Sequence, residues 1–252
     1  MESRWDIEKQ IGTDVLPRTI VSPIDGAEMV LIPESDFTMG ISEEQLAQIF
    51  LVEQKWNPVF ATETPARKIY LESYYIDRYP VTNYQYRKFI EETGHREPML
   101  WHESDWNQPL QPVVFVGWED ARAYAKWAGK SLPTEAQWEK AGRGIDGRLW
   151  AWGQVFLPDR CNCRDYGLDR TSEIGTFDQG VSPYGCYDMC GNVWEMCEGR
   201  WIEDLPVMRG GCFLGSPTFV RVTCRWSPED VFNGAHWLGF RCVKNLASGQ
   251  YQ

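Results

Sequence analysis

Asp188-Met189-Cys190-Gly191-Asn192-Val193-Trp194-Glu195 packs two carboxylates, a glycine turn and an amide into one short window of the chain. Side chains at Asp188 and Glu195, with main-chain carbonyls at Gly191 and Val193, would make the oxygen-only shell that calcium prefers. The same residues also suit a plain turn, in which Asn192 and Glu195 satisfy backbone donors. Spacing alone leaves both readings open.

Around this window lie all the cysteines. Cys161, Cys163, Cys186, Cys190, Cys197, Cys212, Cys224 and Cys242 fall in the second half of the 252-residue chain. Cys161-x-Cys163 and Cys186-x3-Cys190 lack the paired C-x2-C spacing of structural zinc. The first ten residues, Met1 to Gln10, are charged and carry no apolar core of a signal peptide. The expected address is therefore cytoplasmic, with reduced thiols; a virion or cell surface would need a route the sequence does not display.

Composition narrows the function classes. A net charge of −11 is the opposite of a nucleic-acid footprint, and no window approaches the roughly 18 apolar residues of a membrane span. The 13 Trp, 11 Tyr and 11 Phe, with 22 Gly and 15 Pro, describe aromatic side chains wedged between irregular segments. Histidine occurs only at positions 95, 102 and 236, too sparsely for an imidazole metal centre. The hydrolase, P-loop and dinucleotide glycine motifs are missing.

Further out, periodicity places the elements. Glu28 to Pro33 and Phe37 to Gly40 alternate like the arms of a hairpin at a sheet edge, and Lys68 to Ile76 reads as another strand. A short helix and loop is expected between Ile41 and Trp56. Thr82 with Gln85, and Thr134 with Gln137, form capping boxes that open two helices, stopped near Gly94 and Gly142. A third runs from about Trp118 to Ala128, with Gly129 as its stop. From Leu149 to Val243 the chain reads as loops and short strands. With no linker and no internal repeat, one α+β domain over 26–243 is expected, after a polar lead-in at 1–25 and before a tail at 244–252.

Several of these segments together resemble the formylglycine-generating-enzyme (sulfatase-modifying-factor) family. The matching stretches are Tyr75-Ile76-Asp77-Arg78-Tyr79-Pro80-Val81-Thr82-Asn83, Gly129-Lys130-Ser131-Leu132-Pro133-Thr134-Glu135-Ala136-Gln137-Trp138-Glu139 and Ser182 to Glu195. Arg209-Gly210-Gly211 and Gly239-Phe240-Arg241-Cys242 complete the order. The resemblance implies a C-type lectin-like fold of short twisted sheets, two to three helices and much irregular loop, commonly with structural calcium. It puts one calcium site on Asp188, Gly191, Val193 and Glu195, and a second on Asn162 and the Cys163 carbonyl.

The family's oxidase holds copper with two cysteines just after Arg-Gly-Gly. Here Gly215 and approximately Val220 stand at those positions, so copper and the oxidase activity are not expected. A metal-dependent oxidase with a site rebuilt from Cys212 and Cys224 is the alternative. The sulfoxide-synthase branch needs an extra helical domain and histidines that this chain lacks. A third branch, the variable proteins of diversity-generating retroelements, uses the fold as a display scaffold and rewrites the segment before Gly-Phe-Arg. Cys212 to Ser216 and Val231 to His236 fit the amino acids that adenine mutagenesis produces.

The resulting expectation is a ligand-binding protein whose variable surface lies in 209–242. Its contact residues would be Cys212, Phe213, Leu214, Gly215, Ser216, Thr218, Phe232, Asn233, Ala235 and His236, set for a protein or glycan ligand. Aromatic anchors among small hydrogen-bonding residues are the composition of adaptable binding surfaces. Phe219, Trp226 and Trp237 are expected in the core instead.

Overall fold

The stretches 28–33 and 37–40 do not pair with each other as their alternation suggests. Residues 16–53, 58–200, 205–227 and 232–246 are described by a computed structural model. Thr19–Val21 (β1) and Glu28–Ile32 (β2) lie in one sheet, whereas Ser35–Met39 (β3) pairs with Arg67–Leu71 (β4) in another. The stretch 68–76 is likewise two strands, because Tyr74–Asp77 (β5) returns to β2. The expected hairpin between 28–33 and 37–40 is thus corrected. The two arms are 28–39 and 67–77, and one antiparallel register runs through both sheets: Ile32 faces Tyr74 before the break and Ser35 faces Leu71 after it. Pro33 has no N–H to give the ladder, so the ribbon breaks there. The Ser73 hydroxyl takes up the Glu34 N–H at 2.9 Å, and Lys140 Nζ donates to the Pro33 and Ser35 carbonyls at 2.8 and 3.1 Å.

The helices follow their caps. Glu43–Glu53 (α1) and the single turn Pro58–Ala61 (α2) come first; Trp56, the expected end of that segment, lies outside the described residues. Asn83–Thr93 (α3) has both capping-box bonds from Thr82 and Gln85 and ends at Gly94, at φ 70°. Trp118–Trp127 (α4) follows, and Glu135–Arg143 (α5) opens on the Thr134 and Gln137 box. Tyr86 and Phe89 of α3 pack on Tyr124 of α4, with Tyr86 and Tyr124 stacked at 5.8 Å, and Phe240 closes the cluster.

The last quarter builds the sheet that carries the site. Trp194–Arg200 (β6), Pro206–Arg209 (β7), Arg225–Trp226 (β8) and Leu238–Gly239 (β9) order as β8-β7-β6-β9. β9 runs parallel to β6, which brings the residue before it, Trp237, beside Trp194: the Trp194 N–H donates to the Trp237 carbonyl at 2.8 Å. Val243–Asn245 (β10) pairs with β5, so the first sheet, β1-β2-β5-β10, joins both ends of the described chain. Residues 1–15 of the lead-in and 247–252 of the tail lie outside the described residues.

Buried ion pairs tie these layers together. Lys130 bonds Asp25 and Asp77 at 2.8 and 2.7 Å, Glu63 grips Arg221, and Glu139 bridges Arg143 and Arg209. Removing one member of such a pair costs about 3–5 kcal/mol, because the other charge is left unpaired away from water. Among the described residues, no helix is long and apolar enough to cross a membrane.

Candidate functional site

The sheet of β6 to β9 presents three indoles on one side. Trp194 and Trp226 have ring centroids 5.6 Å apart, and Trp226 and Trp237 stack at 5.5 Å with planes 25° apart. Together with Phe219, Leu214, Gly215, Ser216, Cys212 and Arg164 they line an open cleft of about 390 Å³. Phe219, Trp226 and Trp237, expected in the core, therefore form its walls, and Trp226 is 37% exposed. Phe219 and Trp237 are half-buried against the core as well as lining the cleft, and Trp226 packs on Trp194 and Trp237.

The cleft also contains Arg164, which no local pattern in the sequence connects to residues 212–237. Its N–H donates to the Gly215 carbonyl at 3.1 Å, so the loop around 164 forms part of the cleft wall. Gly215 is needed at this junction; a Cβ there would stand 2.9 Å from the Val220 side chain and 3.0 Å from the Cys212 carbonyl.

The ten residues expected to touch ligand divide into separate places. Cys212, Leu214, Gly215 and Ser216 line the cleft. Phe213 is buried, packed against Trp106 and His236 in an aromatic cluster that includes Phe115. Thr218 is buried, and its carbonyl accepts from Arg221 Nε at 2.9 Å. Phe232 and Asn233 are exposed, and Ala235 is fixed through its carbonyl, which accepts from the Phe115 N–H at 3.0 Å. Phe232 crosses so close to Gly117 that a Cβ there would meet its carbonyl at 2.2 Å. Val231 lies outside the described residues.

Neither thiol of the rebuilt-site alternative is ionised at rest. Burial pushes Cys212 up to about 11 and Cys224 up to about 12. Cys212 lines the cleft, whereas Cys224 is fully buried and its carbonyl accepts from the Arg209 side chain. Gly215 and Val220, at the family's cysteine positions, offer no metal-binding atom in their side chains.

The 188–195 window has a different design from the expected shell. Both oxygens of Glu195 are engaged: Oε1 accepts from Arg241 Nη2 at 2.7 Å, and Oε2 from Arg241 Nε at 2.6 Å and Trp138 Nε1 at 2.8 Å. Glu195 is fully buried, with both carboxylate oxygens held by Arg241 and Trp138. The Cys163 carbonyl already accepts from the Tyr166 and Gly167 N–H groups at 3.0 and 3.3 Å.

Asp188 Oδ2 and Asn162 Oδ1 are buried with no hydrogen-bond partner. Their loops are joined by the Asn192 N–H, which donates to the Asn162 carbonyl at 2.8 Å. Asp188, Gly191 and Asn192 hold φ of 56°, 85° and 63°, left-handed backbone that Gly, Asp and Asn adopt more readily than other residues. Burial pushes the Asp188 carboxyl up to about 7. Among the described residues, no three His, Cys, Asp or Glu side chains converge as a cage, so a cation here would draw on amide and carbonyl oxygens.

Comparison with known proteins accords with this geometry. The family model described as "Sulfatase-modifying factor enzyme 1-like domain" matches residues 18–246. An "Inactive C-alpha-formylglycine-generating enzyme 2" from Bos taurus is 31% identical over 244 residues, covering 72% of this chain and 80% of that protein. YfmG of Bacillus subtilis is 29% identical over 98% of this chain, which spans 60% of that protein's length. Among solved structures, "Treponema denticola variable protein 1" superposes with a TM-score of 0.67 at 17% identity, over 90% of this chain and 99% of that one. At that identity the likeness establishes the fold: α+β, C-type lectin-like, of the formylglycine-generating-enzyme type.

Proposed function

The chain belongs to the family of sulfatase-modifying factor enzyme 1-like domains, and from that premise we propose that it acts by non-covalent recognition, with the tryptophan-lined cleft as its binding surface. The observation that carries this reading is the lining itself. Trp194, Trp226, Trp237, Phe219 and Leu214 surround a single neutral thiol, with one cation at Arg164. Such a surface offers large rigid apolar area at small entropic cost, the property of binding hot spots. A protein or glycan surface that lays an apolar face on the indoles is its fitting ligand.

An array of peptides and glycans gives the test. Trp226→Ala and Trp237→Ala are expected to weaken captured ligands at least tenfold, about 1.4 kcal/mol or more, while Lys68→Ala on β4 leaves them unchanged. The reading fails if the protein holds stoichiometric copper through Cys212 and Cys224 and consumes oxygen on a cysteine peptide, which is what the oxidase alternative requires.

Diversification by a retroelement is the finer form of the same reading. It is supported by exposed Leu214, Phe232 and Asn233, which would vary without disturbing the core. Cys212 and Phe213 are buried and do not share that freedom. A near-copy of the codons for Arg209 to Cys242 beside a reverse-transcriptase gene is the expected companion, and its absence removes this form.

Structural calcium belongs to the proposal too, held by Asp188 and Asn162 with nearby carbonyls and without Glu195. Calcium is expected to raise the melting temperature of the wild type and not that of Asp188→Asn. An unchanged melting temperature after chelation would leave Asp188 a turn residue.

A further inference from the structure

The tryptophan cleft has one charged wall. Among the described residues that line it, Arg164 is the only ion and none is an acid, although the whole chain carries a net charge of −11. The cleft is therefore a locally cationic spot on an acidic molecule. Arg164 is fixed at its root and open at its tip. Its main-chain N–H donates to the Gly215 carbonyl at 3.1 Å, which holds residue 164 against the cleft, while its side chain is 62% exposed. Among the described residues, the guanidinium's one ion pair is with its exposed chain neighbour Asp165, at 3.8 Å. That separation is too long for a hydrogen bond, and an exposed pair of this kind contributes little. A guanidinium holds a carboxylate best through two parallel N–H···O bonds, which Asp165 does not supply here.

The rest of the lining says what stands beside such a carboxylate. Trp226 and Trp237 stack on each other at 5.5 Å, so each covers one face of its neighbour. Leu214 and Phe219 add further apolar lining. Besides Arg164, the side chains with a polar atom are those of Ser216 and Cys212, both buried. The many hydroxyls of a glycan would leave water for a surface with few groups to receive them, and each hydrogen bond left unmade costs affinity. An apolar side chain meets no such penalty. A cleft of about 390 Å³ lies toward the small end of the roughly 300–1,000 Å³ of ligand pockets, which suits a short segment of a partner.

Net charge sets the number of acids. At −11 the molecule repels a run of anions at long range, whereas a single carboxylate meets Arg164 at short range. Given recognition through this cleft, on which the inference rests, we infer that its ligand is a peptide segment with one carboxylate beside an aromatic or branched aliphatic side chain. The carboxylate pairs with Arg164, and the apolar side chain packs on Trp226 and Trp237.

The probes are two sets of short peptides built around a central Trp, Phe or Leu. They are alike except that the flanking residue is Glu in one set and Gln in the other, and both are titrated onto the full chain by fluorescence anisotropy. The best Glu peptide is expected to bind at least tenfold more tightly than its Gln twin. Arg164→Gln is expected to abolish that difference while leaving the Gln peptide within twofold, and Asp165→Asn, which removes the competing carboxylate, to strengthen the Glu peptide alone. Both positions are exposed, and melting temperatures check that the variants are folded. Equal affinities for the twins, or a difference that survives Arg164→Gln, overturn the inference; recognition through the cleft still stands if Trp226→Ala weakens both. Binding of glycans without binding of either peptide set also overturns it. If neither peptides nor glycans bind, or if Trp226→Ala changes nothing, recognition through the cleft falls as well.

Discussion

At the scale of single residues, Asp188 and Glu195 show how one motif divides its labour. The burial of Glu195 is offset by Arg241, which clamps it with two hydrogen bonds while Trp138 adds a third. Asp188, seven positions earlier, keeps one oxygen unpartnered, and burial raises its pKa from 3.8 to about 7. A carboxyl whose pKa is raised on folding binds its proton more tightly in the native state. Without calcium, its contribution to stability is therefore present below about pH 4 and falls as pH rises toward about 7. Asp188→Asn is expected to flatten this loss by a few kcal/mol, since a tenfold change in proton affinity corresponds to about 1.4 kcal/mol. Urea denaturation of both proteins in chelator between these pH values checks it, and equal slopes would mean that the carboxyl is solvated.

At the scale of elements, glycines separate local conformation from tertiary crowding. Gly94, after α3, and Gly191, in the 188–195 loop, have similar φ of 70° and 85°. A Cβ on Gly94 meets nothing within 4 Å, whereas one on Gly191 would stand 2.2 Å from the Asn162 carbonyl. Gly94→Ala is thus expected to cost about 1–2 kcal/mol, the effect of left-handed backbone alone. Gly191→Ala must also part the 162 and 191 loops, and its cost should exceed that of Gly94→Ala by at least about 2 kcal/mol. Chemical denaturation of the two variants measures the difference, and similar losses would contradict the close approach. The helices themselves were legible from Thr82, Gln85, Thr134 and Gln137, because a capping box is a contact between residues three apart. The strand pairing was not legible, because Ile32 and Tyr74 meet across more than forty residues and alternation cannot name a partner.

At the scale of the whole molecule, the eight cysteines report on packing. All are free and buried, in two core clusters and the sheets around them. Ellman's reagent is expected to modify none of them rapidly in the native protein and all eight in guanidinium. The Cys161 thiol beside Cys163 holds the latter down to about 7, so its protection would rest on burial rather than on protonation. Rapid native labelling at Cys163 would show that the loop it occupies opens.

What the sequence alone determined was whatever depends on neighbours along the chain and on motif order: the three long capped or glycine-stopped helices, the family, and the fold class. It also located the segment after Arg209 as the place where the related oxidase keeps its cysteines. Only the tertiary structure decided which residues of that segment share a surface. Phe213 and Thr218 turn inward, Trp226 and Trp237 turn outward, and Arg164 joins them from far upstream in the chain. The physical reason is that an irregular loop has no fixed period to tell its faces apart. The path of each segment is settled by its distant partners, as when the Arg164 main-chain N–H donates to the Gly215 carbonyl and brings the 164 loop to the cleft.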